Sequence, residues 1–142
     1  MKIIIAGAGD LGSHLAKLLS SESHDIYLLD QNEERLNTIS SQIDVFTIAG
    51  DAKSVEIMEQ KLISSCDLLI AVTSSEETNM LICILGKKLG AKRTIARIND
   101  VNIIKENKEH FYNELGIDTL ISPTYLGYLS AHRCIPTPPL QR

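Results

Sequence analysis

The sequence predicts an α/β fold, a Rossmann-like doubly wound parallel sheet of six strands in three α/β/α layers. Three observations support this fold class. Apolar runs of strand length alternate repeatedly with segments of helical period. Most of these runs are continuously apolar, as in parallel strands that are covered on both faces. The first run leads directly through three glycines into a helix, and such alternation is typical of strands joined by right-handed crossovers.

The predicted strands are short runs that consist mainly of Ile, Leu, Val and Ala. The six runs are Lys2–Ala6, Ile26–Leu29, Val45–Ile48, Leu68–Val72, Thr94–Ile98 and Thr119–Ile121. Because they do not alternate apolar with polar residues, we expect helices on both faces of the sheet.

Apolar residues at helical spacing predict the helices between these strands. Each of the first three helices has one such stripe, formed by Leu11, Leu15, Leu18 and Leu19, by Leu36, Ile39 and Ile43, and by Val55, Met58 and Leu62.

The fourth predicted helix has a recognisable signal at each end. Ser75 is expected to cap its N-terminus, and Gly90 directly follows its last residue, Leu89. Its run Met80–Leu85 is entirely apolar, which indicates burial on more than one side. Either a partner subunit or burial wholly within the monomer explains this run.

The sequence predicts a single domain over residues 1–122, which ends after a fifth helix and a sixth strand and is followed by a C-terminal segment. The fifth helix is expected to run to about residue 115 from a cap at Asn99, Asp100 or Asn102. Residues 123–142 show no clear period, although a helix over about 124–132 is compatible with them. The end, 133–142, has three prolines and is expected to be an irregular tail or non-native sequence.

Composition narrows the class of protein. Apolar residues make up 44% of the chain and charged residues 23%, which is ordinary for a soluble globular domain. The net charge of −4, without a dense basic run, argues against nucleic acid as a partner, because phosphate backbones need a clustered positive field. Cys66, Cys83 and Cys134 form no CxxC pair, which disfavours a disulfide framework or zinc site and favours a reducing cytoplasm. We expect Cys66 and Cys83 to be packing residues.

The six residues Gly7-Ala8-Gly9-Asp10-Leu11-Gly12 match G-x-G-x-x-G directly after a strand and at the start of a helix. In this context Gly7 permits a tight turn, Gly9 lets a pyrophosphate approach the backbone, and Gly12 lets the helix pack close to the strand. The free N–H groups at the start of the helix then face the phosphates.

Asp30, at the end of IYLLD, supplies the acidic partner of this turn. It follows Gly12 at close to the ~20-residue spacing of dinucleotide-binding folds. A carboxylate here accepts hydrogen bonds from both ribose hydroxyls and repels a 2′-phosphate, and the first arginine after it is Arg35. NAD(H), ATP and ADP are therefore favoured over NADP. The alternative is a purely structural turn with Asp30 as a solvated strand end.

Two further segments follow strands at the edge where ligands bind in such folds. Gly50-Asp51-Ala52 follows the third strand, and in dinucleotide-binding folds the segment at this position commonly runs beside the adenine. Asp51 could equally cap the next helix. Residues 71–75 follow the fourth strand, beside the inner ribose and phosphates.

Groups that would carry catalysis are missing from the pattern. The four histidines are scattered, and none is predicted at the carboxyl end of a strand near another titratable group. There is no Tyr-x-x-x-Lys pair, GxSxG or HExxH, and no second domain to close over a substrate. We therefore expect a sensor in preference to an enzyme.

The chain resembles the TrkA N-terminal domain, also called the KTN or RCK domain, over about residues 1–122. The resemblance is carried by four stretches, IIIAGAGDLGSHLAKLL, LLDQNEERL, AGDAKSVEIMEQ and DLLIAVTSSEETNMLICILGKKLGAKRTIARIND. The Gly-Asp after strand three, the AVT followed by acidic residues and Asn, and the IAR of strand five make it specific.

The resemblance implies a cytosolic nucleotide-binding regulator of potassium transporters. Such domains bind NAD(H) or ATP/ADP, assemble through dimers into rings, and dock on the cytoplasmic face of a membrane transporter. The candidate binding residues are Gly7, Ala8, Gly9, Asp10, Leu11, Gly12, Asp30, Gln31, Arg35, Gly50, Asp51, Ala52, Thr73, Ser74, Glu77, Asn79 and Arg97.

The family pattern also suggests roles for individual residues. Asp51 and Ala52 would lie by the adenine, and Thr73 and Ser74 near the phosphates. Arg97 would reach a terminal phosphate or a neighbouring subunit, or else form a surface salt bridge. If Arg97 meets the extra charge of a triphosphate, this contact would supply the differential affinity that gating needs.

Two other functions remain open at this point. One is the cofactor-binding half of an NAD-dependent oxidoreductase. The other is an NAD-responsive module that regulates a different cation or amino-acid permease. Many family members continue into a further domain, so full ring assembly by this chain is also open.

Overall fold

A computed structural model of the chain describes residues 1–60 and 63–123. Within these ranges the strands are β1 (Lys2–Ala6), β2 (Asp25–Asp30), β3 (Phe46–Ala49), β4 (Leu68–Ala71), β5 (Arg93–Arg97) and β6 (Thr119–Ile121). All pair in parallel in one sheet with the order β3-β2-β1-β4-β5-β6. The predicted doubly wound fold is confirmed, and each predicted strand is present to within one or two residues.

The helices connect these strands on both faces of the sheet. They are α1 (Asp10–Ser20), α2 (Glu33–Ser40), α3 (Val55–Gln60), α4 (Glu76–Lys88), α5 (Asn102–Lys105) and α6 (Glu109–Asn113), with a 3₁₀ turn at Ile63–Ser65. One part of the core lies between the sheet and α1 and α2, and the other lies between the sheet and α3 and α4. Within the described ranges no helix is both long and apolar enough to cross a membrane.

Ser75 caps α4 as predicted, because its hydroxyl accepts a hydrogen bond from the N–H of Thr78 at 3.2 Å. At the other end Gly90 follows with a φ of +116°, the conformation that allows glycine to end a helix. Cys66 and Cys83 are fully buried, so both are packing residues as expected.

The prediction of a single helix after β5 is wrong, because the structure has two short helices there, α5 and α6. Asn107 separates α5 from α6 with a φ of +57°, a left-handed conformation that Asn tolerates better than most residues. The N-cap residue of α5 is Val101, which makes no capping bond, while Asp100 accepts from the N–H of Asn102 at 2.9 Å.

Several apolar positions are more exposed than their pattern predicts. Leu18, assigned to the buried stripe of α1, and Val55, assigned to that of α3, are exposed. Leu81 is also exposed, so α4 is not buried all round in this chain. Phe46 on the edge strand β3 is exposed too. The predictions for Leu62 and for a helix at 124–132 lie outside the described residues.

Candidate functional site

The turn between β1 and α1 brings the backbone of α1 into contact with the backbone at the end of β1. Gly7 has a φ of +114°, and its N–H donates to the carbonyl of Leu29 at 2.8 Å. A Cβ at Gly12 would overlap the carbonyl oxygen of Gly7, so only glycine allows α1 to approach this closely. A Cβ at Gly9 would meet no atom within 4 Å, which leaves that side of the turn open. The tight turn at Gly7 and the close packing at Gly12 match the spacing, and the approach of a pyrophosphate at Gly9 stays a prediction.

The carboxylate of Asp30 holds the turn in place at the end of β2. One oxygen accepts from the N–H of Ala8 and the other from the N–H of Asn32, both at 2.7 Å. Each carboxylate oxygen has a further lone pair, so both can still accept from a ligand hydroxyl. Asp30 therefore builds the turn and also faces the open space beside it.

The N-terminus of α1 differs from those of the next three helices, α2, α3 and α4. The first turns of α2, α3 and α4 are capped by the side chains of Asn32, Ser54 and Ser75. In the described structure, by contrast, Gly9 precedes α1 and no side chain caps it. Its first N–H groups, which carry partial positive charge, are left for an anion.

Two cavities open at this edge of the sheet. The β2-side cavity, of about 340 Å³, lies between the turns after β2, β3 and β4. Its lining includes Gly7, Asp30, Gln31, Arg35, Gly50, Asp51, Ala52, Thr73 and Ser74. The α1-side cavity, of about 420 Å³, lies between the start of α1 and the ends of β4 and β5. Its lining includes Gly7, Gly9, Asp10, Leu11, Asp30, Arg35, Thr73, Ser74 and Arg97.

Arg97 reaches the α1-side cavity from the last position of β5. Among the described residues its Nε atom is buried and has no hydrogen-bond partner. A buried guanidinium N–H without an acceptor is costly, and an anion is the kind of partner that would satisfy it. The alternative of a surface salt bridge is not seen among the described ion pairs.

A buried amide lies beneath this edge. The side chain of Asn79 is fully buried, and its oxygen accepts from the N–H and the hydroxyl of Thr73 at 2.8 and 2.7 Å. Its nitrogen donates to the carbonyls of Thr73 and Arg97 at 3.1 and 3.0 Å. All four bonds that the amide can make are used within the protein.

Four of the predicted site residues line neither cavity. Ala8 and Gly12 form the buried body of the turn, and Asn79 lies behind it with its bonds satisfied. Glu77 is exposed beside the cap of α4, where its carboxylate accepts from the Ser75 hydroxyl at 3.4 Å. Direct ligand contact by these side chains is not what their positions favour.

Asp51 is not the N-cap of α3, an assignment that the sequence left open. Ser54 caps this helix by accepting from the N–H of Ile57, whereas Asp51 accepts from the N–H of Lys53 at 2.9 Å. The same turn brings Lys53 into the lining of the β2-side cavity, which sequence reasoning missed. The available signal was its position in the sequence, directly after the predicted site residues Gly50-Asp51-Ala52.

The described cysteines are not reactive thiols. Burial raises the pKa of the Cys66 thiol to about 11 and that of Cys83 to about 12, so neither forms a thiolate near neutral pH. The described residues contain no group of three or more His, Cys, Asp or Glu that could hold a metal ion.

Residues 3–123 match the family model of the TrkA-N domain. The Trk system potassium uptake protein TrkA of Haemophilus influenzae is 40% identical over 128 residues, which are 89% of this chain and 28% of that protein. The TrkA homolog of Pyrococcus abyssi is 35% identical over all of this chain and 63% of its own length. The chain thus spans less than two thirds of these curated relatives.

Solved structures share the fold at lower sequence identity. The TrkA-N domain of the inner membrane protein ybaL of Escherichia coli has a TM-score of 0.79 at 16% identity, over 94% of this chain and 96% of that one. A Kef C-terminal domain of Shewanella denitrificans in AMP-bound form has a TM-score of 0.69 at 23% identity, over 92% and 77%. The GsuK channel bound to NAD has a TM-score of 0.70 at 15% identity, over 84% and 21%.

Proposed function

The chain belongs to the TrkA-N domain family, and on that premise we propose that it is a non-catalytic, nucleotide-binding regulatory domain of a membrane potassium transporter. The ligands that fit this proposal are NAD(H), ATP and ADP. The transporter would be engaged at the cytoplasmic face of the membrane, by a homodimer or a ring of this domain. The names of the TrkA relatives support the transport system, and the neighbours that hold AMP and NAD support the ligand class.

The observation that carries the proposal is the carboxylate of Asp30 at the mouth of two cavities, beside the uncapped start of α1. A ribose with free 2′- and 3′-hydroxyls donates to a carboxylate, and its phosphates are drawn to helix N–H groups. A 2′-phosphate would face the negative charge of Asp30. NADP is therefore the disfavoured member of this ligand class.

The remaining groups suggest how such a ligand would be divided between the cavities. Residues 50–52, together with Gln31 and Arg35, would surround the adenine and ribose in the β2-side cavity. The turn at Gly9 and residues 73–74 would surround the phosphates in the α1-side cavity, with Arg97 beyond them. The names of the TrkA relatives support a regulatory role for this arrangement over hydride transfer to a substrate.

Gating by such a domain needs a difference in affinity between two conformations. A nucleotide shifts the equilibrium only by as much as it binds one conformation more tightly. A longer phosphate chain that reaches Arg97 would supply this difference. The domain would then report the nucleotide state to the transporter through a change in ring shape.

The test is calorimetric titration of the purified chain with NADH, NAD, ATP, ADP and NADPH at a fixed magnesium concentration. We expect binding of the adenine nucleotides with free ribose hydroxyls, weaker binding of NADPH, and discrimination between ATP and ADP or between NADH and NAD. Such discrimination would be followed by capture of the potassium transporter subunit from membranes.

Two results would contradict the proposal. Equal binding of NAD and NADH without binding of ATP or ADP would favour the cofactor half of an oxidoreductase. If the chain discriminates between nucleotides but captures a different permease, the nucleotide-sensing role would stand. The potassium transporter as its partner would be wrong.

A further inference from the structure

Asn79 joins the ends of two neighbouring strands from behind the site. The paired register of β4 and β5 ends at Ala71 and Ala96. Beyond that point, the amide of Asn79 bonds to Thr73, two residues after Ala71, and to the carbonyl of Arg97, one residue after Ala96. The amide therefore takes the place of the backbone hydrogen bonds between β4 and β5 where the two strands separate.

The two residues that Asn79 joins both line the α1-side cavity, whereas Asn79 does not. The hydroxyl of Thr73 donates to the Asn79 oxygen and lies 3.3 Å from the N–H of Ser75, so it orders the turn after β4. The backbone of Arg97 anchors the side chain that carries the unpaired Nε. A change at Asn79 would be felt in this cavity through these two neighbours.

The β2-side cavity is built by other means. Asp30 is held by the N–H groups of Ala8 and Asn32, and the turn after β3 is held by Asp51 and Ser54. None of these bonds includes Asn79. Thr73 lines this cavity as well, but Arg97 lines only the α1-side cavity, so only the α1-side cavity contains both residues that Asn79 joins.

We propose that Asn79 is a positioning residue that fixes Thr73 and Arg97 relative to each other, and so determines the preference for nucleotides with more than one phosphate over nucleoside monophosphates. The proposal deepens the proposed function and rests on it. An amide is needed because it must accept from Thr73 and donate to two carbonyls at once. A carboxylate accepts but cannot donate to the carbonyl of Arg97.

The experiment is a double-mutant cycle with Asn79→Asp and Arg97→Ala, read as the affinities of AMP and ADP by calorimetry. In Asn79→Asp we expect ADP affinity to fall about tenfold, the scale of one charged hydrogen bond, with AMP affinity changed by less than about threefold. In the Arg97→Ala background the same substitution should change the ADP-to-AMP ratio by less than about twofold, because the group through which it acts is absent.

Thr94→Val is the matched control. Thr94 is also fully buried on β5, at the opposite end, where its hydroxyl donates to the carbonyl of Gly116 at 2.6 Å. This variant should lower the melting temperature and leave the ADP-to-AMP ratio unchanged. If Asn79→Asp does not fold, Thr73→Val takes its place, and Thr73→Ser should restore the ratio by restoring the hydroxyl.

Equal losses of AMP and ADP affinity in Asn79→Asp would overturn the proposal, since that is the result of a merely structural role. A full tenfold loss of the ratio in the Arg97→Ala background would overturn it as well. If the parent binds AMP and ADP equally, the inference fails while the nucleotide-binding function stands. If the parent binds neither, both fail together.

Discussion

Among the described residues, polar groups at the amino ends of the strands are paired with one another, whereas at the carboxyl ends some groups lack a partner within the protein. At the amino end the N–H of Lys2 donates to Asp67 at 2.8 Å, and Lys87 contacts Asp118 at 2.7 Å. At the carboxyl end, within the described structure, α1 has no side-chain cap and the Nε of Arg97 has no partner. The two ends belong to the same six strands, so this difference is not a property of the sheet itself.

The comparison shows how one sheet separates stability from binding. Groups that bond to one another contribute to the native state, and groups left without partners retain their capacity for a ligand. The cost of leaving them open falls on the carboxyl end, where helix N-termini converge and anions are favoured. Three sets of variants can break or sharpen this contrast.

The largest effect on stability is expected from Gly12→Ala. A Cβ there overlaps the carbonyl oxygen of Gly7, and backbone atoms have no rotamer by which to move aside. We expect the free energy of unfolding to fall by roughly 3 kcal/mol, the upper range for overpacking, as measured by urea denaturation.

Gly9→Ala is the control for this glycine pair. Its φ of −76° suits alanine, and a Cβ there meets nothing within 4 Å. The free energy of unfolding should stay within about 1 kcal/mol of the parent value, while nucleotide affinity falls at least about tenfold because the methyl group occupies the approach to the turn. Unchanged affinity in Gly9→Ala would show that phosphates do not approach there.

An intermediate effect, on both stability and binding, is expected from Asp30→Asn. The amide cannot accept from Ala8 and Asn32 with both of its polar atoms, so the unfolding free energy should fall by about 1–2 kcal/mol. NADH and ATP should lose affinity by a similar factor, since they present the same ribose. Calorimetry of both ligands tests this, with the exposed Asp44→Asn as the charge-matched control. Losses that differ by about tenfold or more would mean that the two ligands do not share one site.

The smallest effect is a pH dependence at the amino end. Burial raises the pKa of Asp118, but the bonds to Lys87 and the N–H of Thr94 outweigh it and leave the pKa below its ordinary value. A lowered pKa means that this contribution is complete above about pH 4 and is lost as pH falls through the lowered value. The difference in unfolding free energy between the parent and Lys87→Met, below about 1 kcal/mol at pH 7, should therefore shrink by pH 3. A difference that is the same at both pH values would exclude this carboxylate as its source.

Local pattern was enough to predict most of this molecule. Continuous apolar runs fixed the strands, and Ser75 and Gly90 identified both ends of α4 because capping needs specific residue types. The spacing of the glycines and Asp30 located the open edge of the sheet. Each of these signals depends on residues close in sequence or on a fixed spacing.

The errors arise where distant parts of the chain decide the outcome. Leu18 fits the period of α1, but none of the described elements covers that side of the helix and the residue is exposed. Asn79 was assigned to the site from a family motif, and its bonds to Thr73 and Arg97 across distant parts of the chain were not foreseen; its contact with a ligand stays a prediction. The break at Asn107 had no strong local signal, because Asn is also compatible with a helix. None of these can be read from the periodicity of a single segment.

The contact between Gly12 and the carbonyl of Gly7 also has a mechanical consequence. Most elements of a core meet through side chains, which absorb a small displacement by changing rotamers. Here a helix rests on a strand end with no side chain between them, so the contact is stiff. A displacement of the loop at Gly7 should therefore move α1 as a rigid body, because no side chain between them can repack to absorb it.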